Sequence, residues 1–368
     1  MPSKEPVAVS VIITCYNHAR YIGQAIQSVL DQSFSEFEII VVDDGSTDNS
    51  LALIKKFADK RITVIAQDNA GPSVSTLKAM QSAKGSLLVL LAGDDYCAPY
   101  RLEQQVGELT DPNVGLTFCL PQLVDEDGRS LPDSAWPAFF KPMPKTPAEL
   151  LSHFFFEGNF ICGTSAMIRR SLLEEQGPWH CGMVQLQDFD KWIALTQHCE
   201  FRRSDVRHTF YRVRNQSGNL SSNRNRWRAL VERRLVYRHF FDKLDPRFIA
   251  EAFADLVAQE DVCATKTKGE LTYPIYLAHR DPVIQMIGIE LLIDGIASPD
   301  DYKHFQSRSP NAIWDVFETA RELYPRSLRK ELKRLKRSSA GPIQKRVSDV
   351  RKIVRRSLVN ALGLRRPT

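Results

Sequence analysis

The sequence predicts an α/β fold, a mainly parallel sheet flanked by helices, followed by an all-helical C-terminal region. Three observations lead there. Short β-branched or leucine-rich runs at 7–14, 37–42, 62–66 and 86–92 alternate with segments whose apolar residues recur every three to four positions. Alternation of this kind is the pattern of a parallel sheet with crossover helices. Three runs end in polar clusters, Thr14–Asn17, Asp43–Asp44 and Asp94–Asp95. In an open parallel sheet such ends share one edge, where ligands bind.

Val7–Thr14 reads as a buried strand, with Asn17 placed to cap the helix that follows. That helix carries Ile22, Ala25, Ile26, Val29, Leu30 and Phe34 on one stripe. Phe37–Val42 is the second strand; Gly45 allows a tight turn, and Ser46 or Thr47 can cap a helix bearing Leu51, Ile54 and Phe57. Asp43 reads as either a helix cap or a ligand contact. A third strand at Ile62–Ala66 leads through Asp68–Pro72 to a helix ending near Ala83. Ser86–Ala92 is almost wholly apolar and reads as a strand buried on both faces. Gly115–Cys119 and Phe210–Val213 look like further strands, Ile161–Arg169 like one returning to the sheet, and 184–198 like the start of a helix. Five prolines between 132 and 147 mark an irregular loop.

The 368 residues are 43% hydrophobic and 25% charged, ordinary values for a chain with a sizeable core. No run approaches the roughly 18 apolar residues of a spanning helix, and no signal-type segment opens the chain, so the cytoplasm is the expected compartment. The seven cysteines are scattered and never form Cys-x-x-Cys, which argues against a disulfide framework or a zinc site. The formal charge of +5 hides an asymmetry. From Arg321 onward there are 16 Lys and Arg against 3 acidic residues, whereas the preceding 320 residues sum to −8. A basic tail points to an anionic surface.

Two adjacent carboxylates at a strand end repel unless a cation offsets them. Oxygen ligands suit Mg²⁺ or Mn²⁺, which commonly share a phosphate with them; a solvated acidic turn is the plainer alternative. The first strand is followed by Thr-Cys-Tyr-Asn and not by Gly-x-Gly-x-x-Gly, which disfavours dinucleotide binding. No phosphate-loop Gly-Lys-Ser/Thr follows either.

Taken in order, Val9–Asn17, Val42–Asp48, Ala92–Asp95 and Gln187–Trp192 resemble the motifs of the family 2 inverting glycosyltransferases of the GT-A fold. The resemblance covers roughly residues 7–222. It implies that Asp44 accepts a hydrogen bond from a uracil-type base, that Thr14 and Tyr16 line base and ribose, and that Asp95 holds a divalent cation. Asp94 would contact ribose or a metal-bound water. Asp188 matches the general base that deprotonates the acceptor hydroxyl, with Asp190 its neighbouring competitor. Helical geometry would point the two to different sides. Three departures stand out: Gln187 in place of the usual Glu, Thr76-Leu77 where Arg-Asn is common, with Lys78 as a replacement donor contact, and Leu91 in place of the first Asp of the commoner motif.

The implied activity is metal-dependent, inverting transfer of a sugar from a UDP- or dTDP-type donor to a glycan or lipid-linked acceptor, in bacterial surface polysaccharide assembly. A sugar-phosphate nucleotidyltransferase and a catalytically silent nucleotide-sugar-binding scaffold are the alternatives. The expected organisation is a catalytic domain over 1–225, a helical region over 226–340 and a basic amphipathic helix over 341–368. That last helix has Ile343, Val347, Val350, Val354, Leu358 and Ala361 on one face. It reads either as an interfacial helix on an anionic leaflet or as a helix docked on protein. Nucleic acid is not expected, because no binding module accompanies the charge. The eleven arginines of Arg202–Arg238 fit either phosphate contacts or a solvated face. Trp179 and Trp192 fit packing or sugar stacking.

Overall fold

The computed structural model describes residues 7–177, 179–214, 225–265, 267–308 and 312–323. The basic segment 341–368 and the Lys/Arg/Leu run before it lie outside the described residues. The chain divides into two compact units between Val236 and Tyr237.

The first unit follows the alternation of the sequence. It runs β1 (Val9–Cys15), α1 (Ile22–Leu30), β2 (Phe37–Asp44), α2 (Ser50–Ile54), β3 (Ile62–Gln67), α3 (Pro72–Ser82), β4 (Leu87–Ala92), β5 (Tyr96–Cys97), α4 (Arg101–Glu108), β6 (Val114–Cys119) and β7 (Gln122–Val124). Then come α5 (Pro147–Glu157), β8 (Met167–Arg169), α6 (Arg170–Glu175), α7 (Gln187–Leu195), β9 (Glu200–Ser204), β10 (Thr209–Arg212) and α8 (Arg226–His239). Seven strands form one sheet in the order β3-β2-β1-β4-β8-β6-β9, and β5-β10-β7 form a second. β1 pairs in parallel with β2 and β4, setting Thr14 opposite Val42 and Ala92. The carboxyl ends of all three strands therefore face one edge. β8 is the antiparallel member, between β4 and β6.

Every residue of β2 is buried, as expected of a strand covered on both faces. The stripe of α1, with Ile22, Ala25, Ile26 and Val29 fully buried, packs against β1, β2 and β4. α1 stops at Leu30, a turn short of the expected helix, yet Phe34 still packs on the same core. The expected strand over 161–169 shrinks to its last three residues. Gly163–Ser165 turn instead as a 3-10 helix, with Ser165 Oγ bonded to the carbonyls of Cys162 and Cys119.

The second unit is helical, with α9 (Pro246–Ala252), α10 (Gln259–Ala264), α11 (Lys268–Ala278), α12 (Pro282–Gly295), α13 (Pro299–Arg308) and α14 (Ala312–Leu323). Asp245, Thr267 and Asp281 each cap a helix N-terminus with a side-chain oxygen. α12 and α14 share a core of Ile289, Leu292, Ile293 and Val316. Gly288 lets α12 approach Tyr276 of α11, whose hydroxyl donates to the Tyr237 carbonyl at 2.5 Å. No helix among the described residues is long and apolar enough to cross a membrane.

Candidate active site

The loops after β1 and β2 are laced together. Asn17 takes φ of +57°, the left-handed region that Asn tolerates. Its side chain does not cap α1 as the sequence led us to expect. Oδ1 accepts from the Thr47 N–H at 2.8 Å, across the neighbouring loop, and the Asn17 N–H donates to Ser46 Oγ at 3.0 Å. Neither Ser46 nor Thr47 caps α2; Asp48 accepts from the Ser50 N–H at 2.9 Å and, with its other oxygen, from the Ala19 N–H at 3.0 Å. Asp43 Oδ2 accepts from the Ser46 N–H at 3.1 Å, closing the turn through Gly45.

Asp44, 4% exposed, ends β2. Its carboxylate accepts from Gln67 Nε2 at 2.7 Å, the Ala70 N–H at 2.9 Å and the Gly71 N–H at 2.9 Å. Three donors fill three of about four lone-pair positions and leave one on Oδ2 for a further N–H. Thr14, near the end of β1, lies opposite Val42, two residues before Asp44, and Tyr16 is 45% exposed. Lys78 lies on the exposed side of α3, and Ser73 and Ser75 are the buried residues there.

Asp94 and Asp95 follow β4, both buried. Asp95 Oδ1 accepts from the Arg212 N–H at 2.8 Å, and the nearby Thr164 hydroxyl favours the charged form of this carboxyl. Burial and then the charge of Asp94 push the Asp95 acid well above the usual carboxylate range. Asp94 Oδ2 lies 3.1 Å from Arg214 Nε and 3.9 Å from His18 Nε2. Its Oδ1 has no hydrogen-bond partner among the described residues. Such a pair fits a divalent cation, which would relieve the repulsion that raises Asp95. Among the described residues no three His, Cys, Asp or Glu side chains converge on one point, so phosphate and water oxygens would complete its shell.

Asp188 lies in the first turn of α7. Oδ1 accepts from the Phe189 N–H at 2.7 Å, and a Cβ built at Gly163 would sit 2.8 Å from Oδ2. Burial pushes this acid up to about 6. Gly163 therefore packs on Asp188 while its neighbour Thr164 accepts from the Ala92 N–H at the end of β4. One short turn joins the strand-end carboxylates to the carboxylate on α7. Gln187 Oε1 is buried beside Asp188 without a hydrogen-bond partner.

Trp192 and Trp179 are both buried and meet edge to face at 6.3 Å, which is a packing arrangement. Several residues at the site carried no signal in the sequence. Arg212 is fully engaged: Nε donates to the Asp94 carbonyl at 2.8 Å, Nη1 to the carbonyls of Asp125 and Glu126, and Nη2 to Gln24. It welds the loop after β4 to β10, with its guanidinium 4.6 Å from the Tyr21 ring centre. The buried Lys191 donates to the carbonyls of Gln176 and Gly177 at the end of α6. Each was one basic residue among many, and only chain topology brings it to its partners.

A family model described as glycosyl transferase family 2 matches residues 10–177. An uncharacterized glycosyltransferase of Nostoc sp. is 34% identical over 177 residues, 46% of this chain and 53% of that protein. A putative teichuronic acid biosynthesis glycosyltransferase of Bacillus subtilis, TuaG, is 28% identical over 234 residues, 62% of this chain and 87% of that protein. The chain spans little more than half the length of the first curated relatives it matches, 53% and 58%. Among solved structures, S. aureus TarS residues 1–349 superposes with a TM-score of 0.53 at 17% identity, covering 84% of this chain and 92% of that one. The same protein in complex with UDP-GlcNAc gives 0.53 at 18% identity over the same shares. At these identities the likeness carries the fold, a GT-A sheet with a helical C-terminal region.

Proposed function

We propose, from the match of residues 10–177 to glycosyl transferase family 2, that the protein transfers a sugar, with inversion and with a divalent cation, from a UDP- or dTDP-sugar. The acceptor is a glycan or lipid-linked glycan in polysaccharide assembly. The observation that carries this reading is the turn Gly163–Ser165, in which Gly163 packs on Asp188 while Thr164 accepts from the Ala92 N–H at 3.0 Å, at the end of the strand that leads to Asp94 and Asp95.

Asp188 takes the proton of the attacking acceptor hydroxyl through its carboxylate. An acid near 6 is mostly ionised at neutral pH yet basic enough to accept that proton, the range in which general bases work best. Asp95 and Asp94 would hold Mn²⁺ or Mg²⁺, which supplies charge neutralisation to the departing diphosphate. Arg214, held against Asp94, adds a positive charge at the same place. Asp44, with its N–H-lined carboxylate, offers the remaining acceptor to the N3–H of a uracil or thymine ring; Thr14 and Tyr16 flank base and ribose. The UDP and UDP-GlcNAc complexes of TarS and the assignment of TuaG to teichuronic acid biosynthesis support this donor and acceptor class. The basic segment 341–368 is proposed to hold the protein on an anionic membrane surface where lipid-linked acceptors are displayed.

The test is a thermal-shift comparison of UDP, dTDP, GDP, CDP and ADP, each with Mn²⁺ and with EDTA. Ligand binding to the native state raises the melting temperature by mass action. Stabilisation by UDP or dTDP that needs Mn²⁺ and is lost in Asp44→Ala and Asp95→Ala is the expected result. Stabilisation by GDP alone would overturn the role of Asp44, and none with any nucleotide would overturn the donor reading.

A further inference from the structure

The helix that carries the base lacks a cap of its own. Its N-cap position is Leu186, whose side chain can accept nothing. Helix N-termini leave backbone N–H groups unpaired, and ordinarily a Ser, Thr, Asp or Asn at that position takes one of them. Here an acceptor from far along the chain instead holds the three N–H groups that lead into the helix. Glu232, 3% exposed on α8, accepts from the Val184 N–H at 2.9 Å through Oε1, and from the Gln185 and Leu186 N–H groups at 2.8 and 2.9 Å through Oε2. Three bonds to one ionised carboxylate are of the charge-assisted kind, roughly twice as strong as neutral ones.

We infer that Glu232 is a positioning residue for the reaction: its carboxylate clamps the three backbone N–H groups that lead into α7 and thereby fixes the helix start on which Asp188 sits. This rests on Asp188 being the base. The clamped residues lie immediately before it, so a shift of the loop moves the carboxylate that must lie within hydrogen-bond reach of the acceptor hydroxyl. The donor-side carboxylates Asp44, Asp94 and Asp95 hang from other strands and do not share this support. A clamp of this kind therefore touches the chemical step and leaves donor binding alone. The carboxylate charge also lies near enough to Asp188 to be one of the influences raising its acid.

Glu232→Gln keeps the size of the side chain but replaces one accepting oxygen with an NH2 that faces the N–H donors. The expected result is a loss of about tenfold in kcat with the KM for the donor and the UDP-induced thermal shift within twofold of the parent. Amide hydrogen exchange should quicken at 184–188 and be unchanged in β1–β4. Unchanged kcat in the folded variant overturns the inference, as does a fall in kcat matched by an equal rise in donor KM. Should Glu232→Gln fail to fold, Glu232→Asp, which withdraws the carboxylate by one methylene, is read by the same criteria. Asp188→Asn run in parallel separates the two claims. If Asp188→Asn abolishes turnover and Glu232→Gln leaves kcat unchanged, the clamp alone fails; if Asp188→Asn retains turnover, the base assignment fails and the clamp with it.

Discussion

The acid proposed as the base is held near 6 by burial, at a cost in stability, and the sign follows from linkage. The folded Asp188 keeps its proton up to about 6, whereas the unfolded carboxyl releases it near its ordinary value of 3.8. Between those values folding takes up a proton, so this residue's contribution falls as pH rises and its penalty is complete above about 6. Asp188→Asn removes the penalty while keeping an oxygen for the Phe189 N–H. We expect it to lower kcat at least 100-fold and, at pH 8, to raise the melting temperature by a few degrees, with the gain vanishing below pH 4. In the parent protein, kcat should fall tenfold per pH unit below about 6 as the base takes up its proton. Gly163→Ala is the complementary change. A methyl group 2.8 Å from Asp188 Oδ2 must displace the carboxylate, so kcat should drop at least tenfold while UDP with Mn²⁺ still raises the melting temperature. The Gln187–Trp192 motif pointed to Asp188 as the candidate base. Its acidity was not legible, because the burial that raises it comes only with the fold.

At the scale of elements, legibility followed burial. β1, β2 and β4 announce themselves because strands covered on both faces must be apolar throughout. β5 and β7 are two and three residues long, and β9 reads Glu-Phe-Arg-Arg-Ser, so their place comes from pairing with β10 and β6 and not from any pattern of their own. The loops after β1 and β2 were readable as polar clusters, but the bond from Asn17 to Thr47 spans 30 residues and displaced the local caps that the sequence offered. The helical unit has a crossing of the same unreadable kind. Gly288 sits where any Cβ would overlap Tyr276. Overpacking costs about 1–3 kcal/mol, against a helix-propensity gain of about 1 kcal/mol for Gly→Ala. Because the nearest atoms include the Tyr276 Cβ, which cannot swing aside, Gly288→Ala should destabilise the α11–α12 pair. Faster hydrogen exchange in 268–295 with unchanged exchange in β1–β4 is the measurement.

For the molecule as a whole, the unevenness of charge is the feature that the two folded units leave unused. The body is net acidic by 8 over its first 320 residues, and the last 48 carry 16 Lys and Arg. Each basic residue close to an anionic bilayer contributes about 1 kcal/mol, and the attraction is screened over about 8–10 Å at physiological salt. An acidic body would be repelled by the same surface, so attachment must come from the tail if it comes at all. Co-sedimentation with vesicles of phosphatidylglycerol and phosphatidylcholine, comparing the full chain with one ending at Ser339, isolates the basic segment 340–368. We expect the full chain to pellet at 0.1 M salt and to be released at 0.5 M, and the shortened chain to remain in the supernatant at both. Equal pelleting of the two chains would move the attachment to residues before 340, the Lys/Arg/Leu run at 328–337 among them. Equal solubility would leave the tail's charge to a protein partner, and turnover on a water-soluble acceptor, identical for both chains, would confirm that the catalytic unit itself was intact in the comparison.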